Sequence, residues 1–186
     1  MRRTLTLTLA LATGLLLAQA AMAALPDGAK APLFTATATR GGKAYPFSLA
    51  DALKKGPVVL YFYPAAFTPG CTMEAHLFAR AIPKFKALGA TVIGVSHDPI
   101  AKLKRFSVSV CRKKFPVAAD TSGRIIKSYD VVLPQDPLLA NRTSYVITPH
   151  DRVFYSYTNL DPRQHVANTL AALRRWDQAQ RKAPTH

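Results

Sequence analysis

Cys71 stands three residues behind Thr68 and seven behind Pro64, in the stretch PAAFTPGCTMEA of residues 64 to 75. Directly before it, Val58 to Tyr63 is an unbroken β-branched and aromatic run, read as a central strand covered on both faces and ended by Pro64. From Cys71 the apolar period becomes helical: Phe78, Ile82, Phe85 and Leu88 share one stripe with the cysteine, and Gly89 closes the helix. A short loop therefore delivers a sulfur to the first turn of a helix. Unpaired N–H groups and the positive end of the helix dipole stabilise an anion at such a place, and a thiolate is what attacks peroxides and disulfides. Thr68 can set a hydroxyl beside the sulfur, while Pro64 and Pro69 stiffen the loop. A buried free cysteine serving as a small apolar group satisfies the same pattern.

The elements that must hold this loop follow from periodicity and turn residues. Leu33 to Thr39 alternates like a strand, Arg40 to Lys43 turns, and Phe47 to Leu53 reads as a short helix. Thr91 to Ser96 is a second buried strand, Pro99 to about Lys114 a second helix, Phe115 to Ala119 a short strand, and Ile125 to Tyr129 a helical turn. Strands at 143–148 and 152–158 flank a turn at Pro149 to Asp151, and Asp161 to Trp176 forms a closing amphipathic helix before a polar, frayed tail. This order predicts an α/β domain of three layers, α/β/α, around a mixed sheet with parallel strands in the centre and antiparallel ones at one edge.

Composition narrows the setting. Arg2 and Arg3, an apolar run from Leu5 to Leu17 and the small residues ending at Ala21-Met22-Ala23 have the build of an export signal over residues 1–23, leaving one domain over 24–186. The apolar run falls short of the roughly 20 residues a spanning helix needs. The expectation is a processed chain without stable membrane insertion, exported and most simply periplasmic, where surviving cysteines are either paired or reactive. The formal charge of +15 stays strongly positive without Arg2 and Arg3. Its nearest clusters are Lys102, Lys104 and Arg105, then Arg112, Lys113 and Lys114. No nucleic-acid motif accompanies them, so a solvated basic surface that adheres to acidic envelope material is expected, with no nucleic-acid partner. The scattered histidines lack zinc-site spacing, and neither metal nor cofactor is expected. Residues 71–74 read Cys-Thr-Met-Glu, which argues against a Cys-x-x-Cys dithiol oxidoreductase.

Pro64-x-x-x-Thr68-x-x-Cys71 matches the active-site motif of the peroxiredoxins, and YFYPAAFTPGCTMEA resembles the bacterioferritin-comigratory, or Q-type, branch. The resemblance continues through Gly89 to Asp98, Phe115-Pro116, Asp120, Tyr129 to Val131 and Arg142 to Ile147, covering about residues 30 to 175. It implies a thioredoxin-like fold and thiol-dependent reduction of hydrogen peroxide or organic hydroperoxides. Cys71 would be the nucleophile that becomes a sulfenic acid. Thr68 would hydrogen-bond the attacked oxygen, Pro64 would shield the intermediate from water, and Arg142 would stabilise the thiolate and the developing charge. A thioredoxin-like or low-molecular-weight thiol would be the reductant, and the chain would be a monomer or homodimer.

One departure from the family pattern bears on turnover. Many Q-type members carry a second cysteine five residues after the first, where this chain has His76; Cys111 is the only other thiol. An intramolecular Cys71–Cys111 disulfide is expected. It competes with an external thiol acting on Cys71 alone and with a non-catalytic binding protein that keeps the fold. A disulfide needs Cα atoms within about 7 Å, so the first helical turn would have to unwind.

Overall fold

The computed structural model describes residues 24–182, and the expected export segment lies outside them. In chain order the elements are β1 (Thr35–Arg40), β2 (Lys43–Ser48), α1 (Leu49–Leu53), β3 (Val58–Phe62), α2 (Pro69–Ala87), β4 (Thr91–Ser96), α3 (Ile100–Ser109), β5 (Val117–Ala119), α4 (Arg124–Ser128), β6 (Val132–Leu133), β7 (Asp136–Ala140), β8 (Thr143–Ile147), β9 (Val153–Thr158), a 3-10 turn (Pro162–Gln164) and α5 (His165–Lys182). Seven strands form one sheet in the order β2-β1-β5-β4-β3-β8-β9, and β6 and β7 pair separately.

β3 is the pivot. It runs parallel to β4 and antiparallel to β8, and every one of its residues is buried. Its alternating side chains split the core. Val59 and Tyr61, with Tyr63 just past the strand, pack with α2, α3 and α5, whereas Val58, Leu60 and Phe62 pack with α1 and α4. Removing each such side chain from water contributes about 1.5–3 kcal/mol, so this short strand ties both helical layers to the sheet.

Several boundaries differ from the expectation, each for a local reason. Antiparallel strands flank the parallel centre on both sides, because β1 joins β5 antiparallel and carries β2 beyond it. The segment 43–48, read as a turn running into a helix, is an edge strand; such a strand tolerates Pro46, and the helix waits for Ser48, whose Oγ accepts from Asp51 N at 3.2 Å. The second helix stops at Ser109 instead of reaching Lys114, because Arg112 and Lys113 both adopt positive φ (51° and 58°). Cys111 therefore lies beyond the helix. The closing helix runs past Trp176 to Lys182.

Tyr61 fixes how α2 sits on the sheet. Its ring stacks on Phe78 at 4.4 Å and on Tyr63 at 5.4 Å. It can do so only because its neighbour across the β3–β4 pair is Gly94, where an added Cβ would lie 2.7 Å from the ring. Gly94→Ala should destabilise the fold by about 1–3 kcal/mol through overpacking. Urea unfolding of the two proteins checks this.

Candidate active site

The loop between β3 and α2 is held from outside. Asp98, buried just after β4, accepts from Ala66 N at 2.7 Å and from Ser96 Oγ at 2.8 Å through Oδ2, while Oδ1 pairs with Lys102 Nζ at 2.6 Å. Tyr63 N donates to Val95 O at 3.2 Å. Directly after these anchors Phe67 has φ +71°, unfavourable for a bulky residue, with its ring edge-on to Phe106 at 5.2 Å. The turn then enters α2 with Thr68 as N-cap and Pro69 in the first helical position.

Cys71 is the third residue of that helix and is buried. Arg142, the residue before β8, reaches it from the adjacent strand and donates from Nη2 to Sγ at 3.4 Å. The approach needs Gly70, where a Cβ would come within 3.1 Å of Nη2. The rest of the guanidinium is also engaged: Nε donates to Leu160 O at 2.9 Å, and Nη1 pairs with Glu74 Oε2.

The structure thus brings Arg142 and Cys71 together and leaves Thr68 and Pro64 on the rim. The Thr68 side chain is exposed, and its hydroxyl donates to Ala65 O at 3.0 Å in its own loop. Pro64 is partly buried where β3 ends. Cys111 is fully buried in the same core cluster as Cys71, both thiols are free, and burial pushes the Cys111 thiol well above the ordinary range.

Two buried polar groups were not singled out in the sequence. Glu74 lies one turn after Cys71 on the inward face, and burial pushes its carboxyl up to about 8 against the opposing pull of Arg142. Its Oε1 has no hydrogen-bond partner and sits 3.6 Å from His165 Nδ1. His165 Nε2 donates to Asn159 O at 2.8 Å, which leaves Nδ1 to accept from Ser144 Oγ at 2.8 Å. Burial lowers the histidine to about 4, so it is neutral at ordinary pH. A lone carboxylate on an apolar helical stripe was the available sign for Glu74; His165 offered none, because its partners are a hydroxyl on β8 and a backbone carbonyl, which no sequence pattern marks.

A thiol at a helix start, with an arginine aimed at its sulfur, is an arrangement for stabilising a thiolate. The AhpC/TSA family model matches residues 28–156. The chain belongs to the AhpC/TSA family. The chloroplastic peroxiredoxin Q of Oryza sativa subsp. japonica is 37% identical over 147 residues, which cover 78% of this chain and 65% of that protein. Peroxiredoxin Q of Sedum lineare is 34% identical over 148 residues, 74% of this chain and 79% of its own length. Among solved structures, peroxidoxin BcpB from Mycobacterium tuberculosis superposes with TM-score 0.73 at 32% identity, covering 80% of this chain and 96% of that one. Peroxiredoxin Q of Xanthomonas campestris gives TM-score 0.66 at 26% identity, covering 77% and 91%. The peroxiredoxin resemblance and the thioredoxin-like fold expected from the sequence are thereby established for this chain. The match spans only about two thirds of the rice relative's length, 65%.

The buried acid and base predict a pH signature for this peroxiredoxin. Between about 4.5 and 8 the folded chain keeps a proton on Glu74 that the unfolded chain releases, so stability falls as pH rises through that window. His165 acts oppositely: between about 4 and 6.5 the unfolded chain takes up a proton that the folded one refuses, so stability rises with pH there. Of these two groups, Glu74 alone acts between about 6.5 and 8. Glu74→Gln should remove the decline in that interval, read as the urea midpoint against pH.

Proposed function

We propose that the chain is a thiol-dependent peroxidase in which Cys71 attacks hydrogen peroxide or an organic hydroperoxide. The observation that carries this reading is the Arg142 hydrogen bond to the Cys71 sulfur at the start of α2. The thiolate takes the terminal oxygen of R–O–OH as the O–O bond breaks. The leaving alkoxide accepts the proton that the thiol had released, giving ROH and Cys71 sulfenic acid. Arg142 stabilises the thiolate and the charge on the breaking bond. Thr68 would turn its hydroxyl from Ala65 O to the incoming peroxide, and Pro64 would keep bulk water from the sulfur. A second thiol then displaces water from the sulfenic acid, forming a disulfide that a thioredoxin-like or small-molecule thiol reduces.

Cys111 is the proposed second thiol. Both sulfurs belong to one core cluster, and Cys111 lies just past the end of α3. Reaction within the chain requires the first turn of α2 to unwind. The complete burial of Cys111 favours a second reading, in which it stays inert and an external thiol resolves Cys71 directly. Residues 1–23 are proposed to direct export to the periplasm, which amino-terminal sequencing of the protein from a periplasmic fraction would test.

Intact mass after one equivalent of hydrogen peroxide, followed by non-reducing peptide mapping, tests the peroxidase. Loss of two hydrogens with a Cys71–Cys111 crosslink is expected; one added oxygen at Cys71 would establish the one-cysteine route, and an unmodified Cys71 would refute the peroxidase. Cys111→Ser should still consume the first equivalent of peroxide but stop at the sulfenic acid, whereas Cys71→Ser should consume none. Arg142→Gln should slow that first step by about 100-fold, measured by stopped flow under conditions where a cooperative thermal transition shows the variant to be folded.

A further inference from the structure

The outward side of α2 and the turn after α3 enclose a cavity of about 620 Å³ lined by Arg40, Arg80, Lys86, Arg112, Lys113 and Lys114, with Ala79, Ile82 and Pro83 as an apolar floor. Arg80 and Arg112 also line a second cavity of about 410 Å³ that reaches Pro69, Thr72 and Met73 at the start of the same helix. No carboxylate lines either cavity, and among the described residues none of the six cations has an acidic partner. From Met73 to Lys86 the cationic trough follows α2 for about 20 Å at 1.5 Å per residue.

The trough is held in shape. Arg112 and Lys113 take left-handed backbone conformations, Lys113 N donates to Ser107 O at 2.9 Å, and Lys113 O accepts from Arg40 Nε at 3.1 Å. Beside it protrude three of the exposed large apolar side chains: Met73 in the second cavity, then Phe67 and Val108, which form an apolar hollow rimmed by Lys104 and Arg105. Like charges crowded onto a constrained turn repel one another, and an anionic surface relieves that repulsion. Protruding apolar tips among unpaired cations are the combination that seats a protein on anionic lipid, the tips entering between headgroups while the cations meet phosphates.

We propose that this face docks the protein on the surface of a bilayer rich in anionic phospholipid, with the mouth of the Cys71 loop at its edge. The length of the trough and the apolar tips favour a lipid surface over a free phosphate. No Phe, Tyr or Trp lines either cavity, and the single imidazole of His76 does not make a run of stacking platforms for successive nucleic-acid bases. The inference does not depend on the peroxidase reading, since docking is measured without peroxide.

Co-sedimentation of the full chain with vesicles of phosphatidylcholine, alone or with phosphatidylglycerol, tests it. The neutral vesicles report whatever the apolar amino-terminal segment contributes, and the gain on adding phosphatidylglycerol reports the cations. That gain should fall by at least about tenfold in Arg80→Glu/Arg112→Glu/Lys113→Glu and vanish in about 1 M salt, where screening acts within about 3 Å. Lys55→Glu/Lys127→Glu/Arg174→Glu, with the same change in net charge elsewhere, should keep it. Phe67→Ser/Val108→Ser should weaken binding at low salt with charge unchanged. A cooperative thermal transition in each variant establishes that it is folded. Equal loss in both charge-reversed proteins, no gain on anionic vesicles, or displacement by millimolar inorganic phosphate would overturn the proposal. So would tighter binding to an acidic polypeptide such as poly-glutamate than to the vesicles, which would reassign the face to a protein partner.

Discussion

A buried guanidinium is the constraint around which this molecule is arranged. Arg142 has almost no contact with solvent, and removing such an ion from water costs several kcal/mol unless its donors are met. Two separate parts of the chain meet them: the first turns of α2 with the Cys71 sulfur and the Glu74 carboxyl, and the connection after β9 with the Leu160 carbonyl. Satisfying one side chain thus fixes the distance between the start of α2, the start of β8 and the approach to α5. Gly70 belongs to the same constraint, because any side chain there would crowd the guanidinium.

Glu74 and His165 show how that constraint reaches further. A fully ionised Glu74 would compete with the Cys71 thiolate for the same cation. Burial, an unpartnered Oε1 and a neutral imidazole next to it all favour the protonated carboxyl. The positive charge of Arg142 is then left for the sulfur. The imidazole stays neutral because burial disfavours its charged form, which outweighs the opposite pull of the Asn159 carbonyl, and Ser144 occupies the other nitrogen.

The elements legible in the sequence were those whose signal is local and repeated. β3 and β4 are continuous apolar runs, α2 has a stripe ending at Gly89, and the loop between them carries Pro64, Thr68 and Cys71 at a recognisable spacing. What escaped depends on distant partners. β2 pairs only with β1, and Pro46 disguised it. The end of α3 is decided by two residues in left-handed conformations that are not glycines, so composition gave no warning. At the site, the motif pointed to Arg142, but the position of the Thr68 hydroxyl and the Glu74–His165 contact are tertiary facts. Asp98, one member of a matched stretch, acquires its purpose only when Ala66 is seen to donate to it.

The start of α2 is secured unusually. Thr68 makes no side-chain capping bond, although such a cap is worth about 1 kcal/mol, and the following Pro69 and Gly70 contribute no side-chain polar contacts. What holds the first turn is the grip of Arg142 on Cys71 and Glu74 from inside and the Asp98 clamp on the preceding loop from outside. In the proposed reaction the thiolate becomes a neutral sulfenic acid, which is a weaker acceptor for a guanidinium. The inner grip loosens at the moment a second thiol must reach Cys71, while the outer clamp does not depend on the state of the sulfur. Oxidation would therefore release the turn that encloses the cysteine and leave the loop that presents it in place, which is what a buried nucleophile needs if it is to be resolved by any thiol at all.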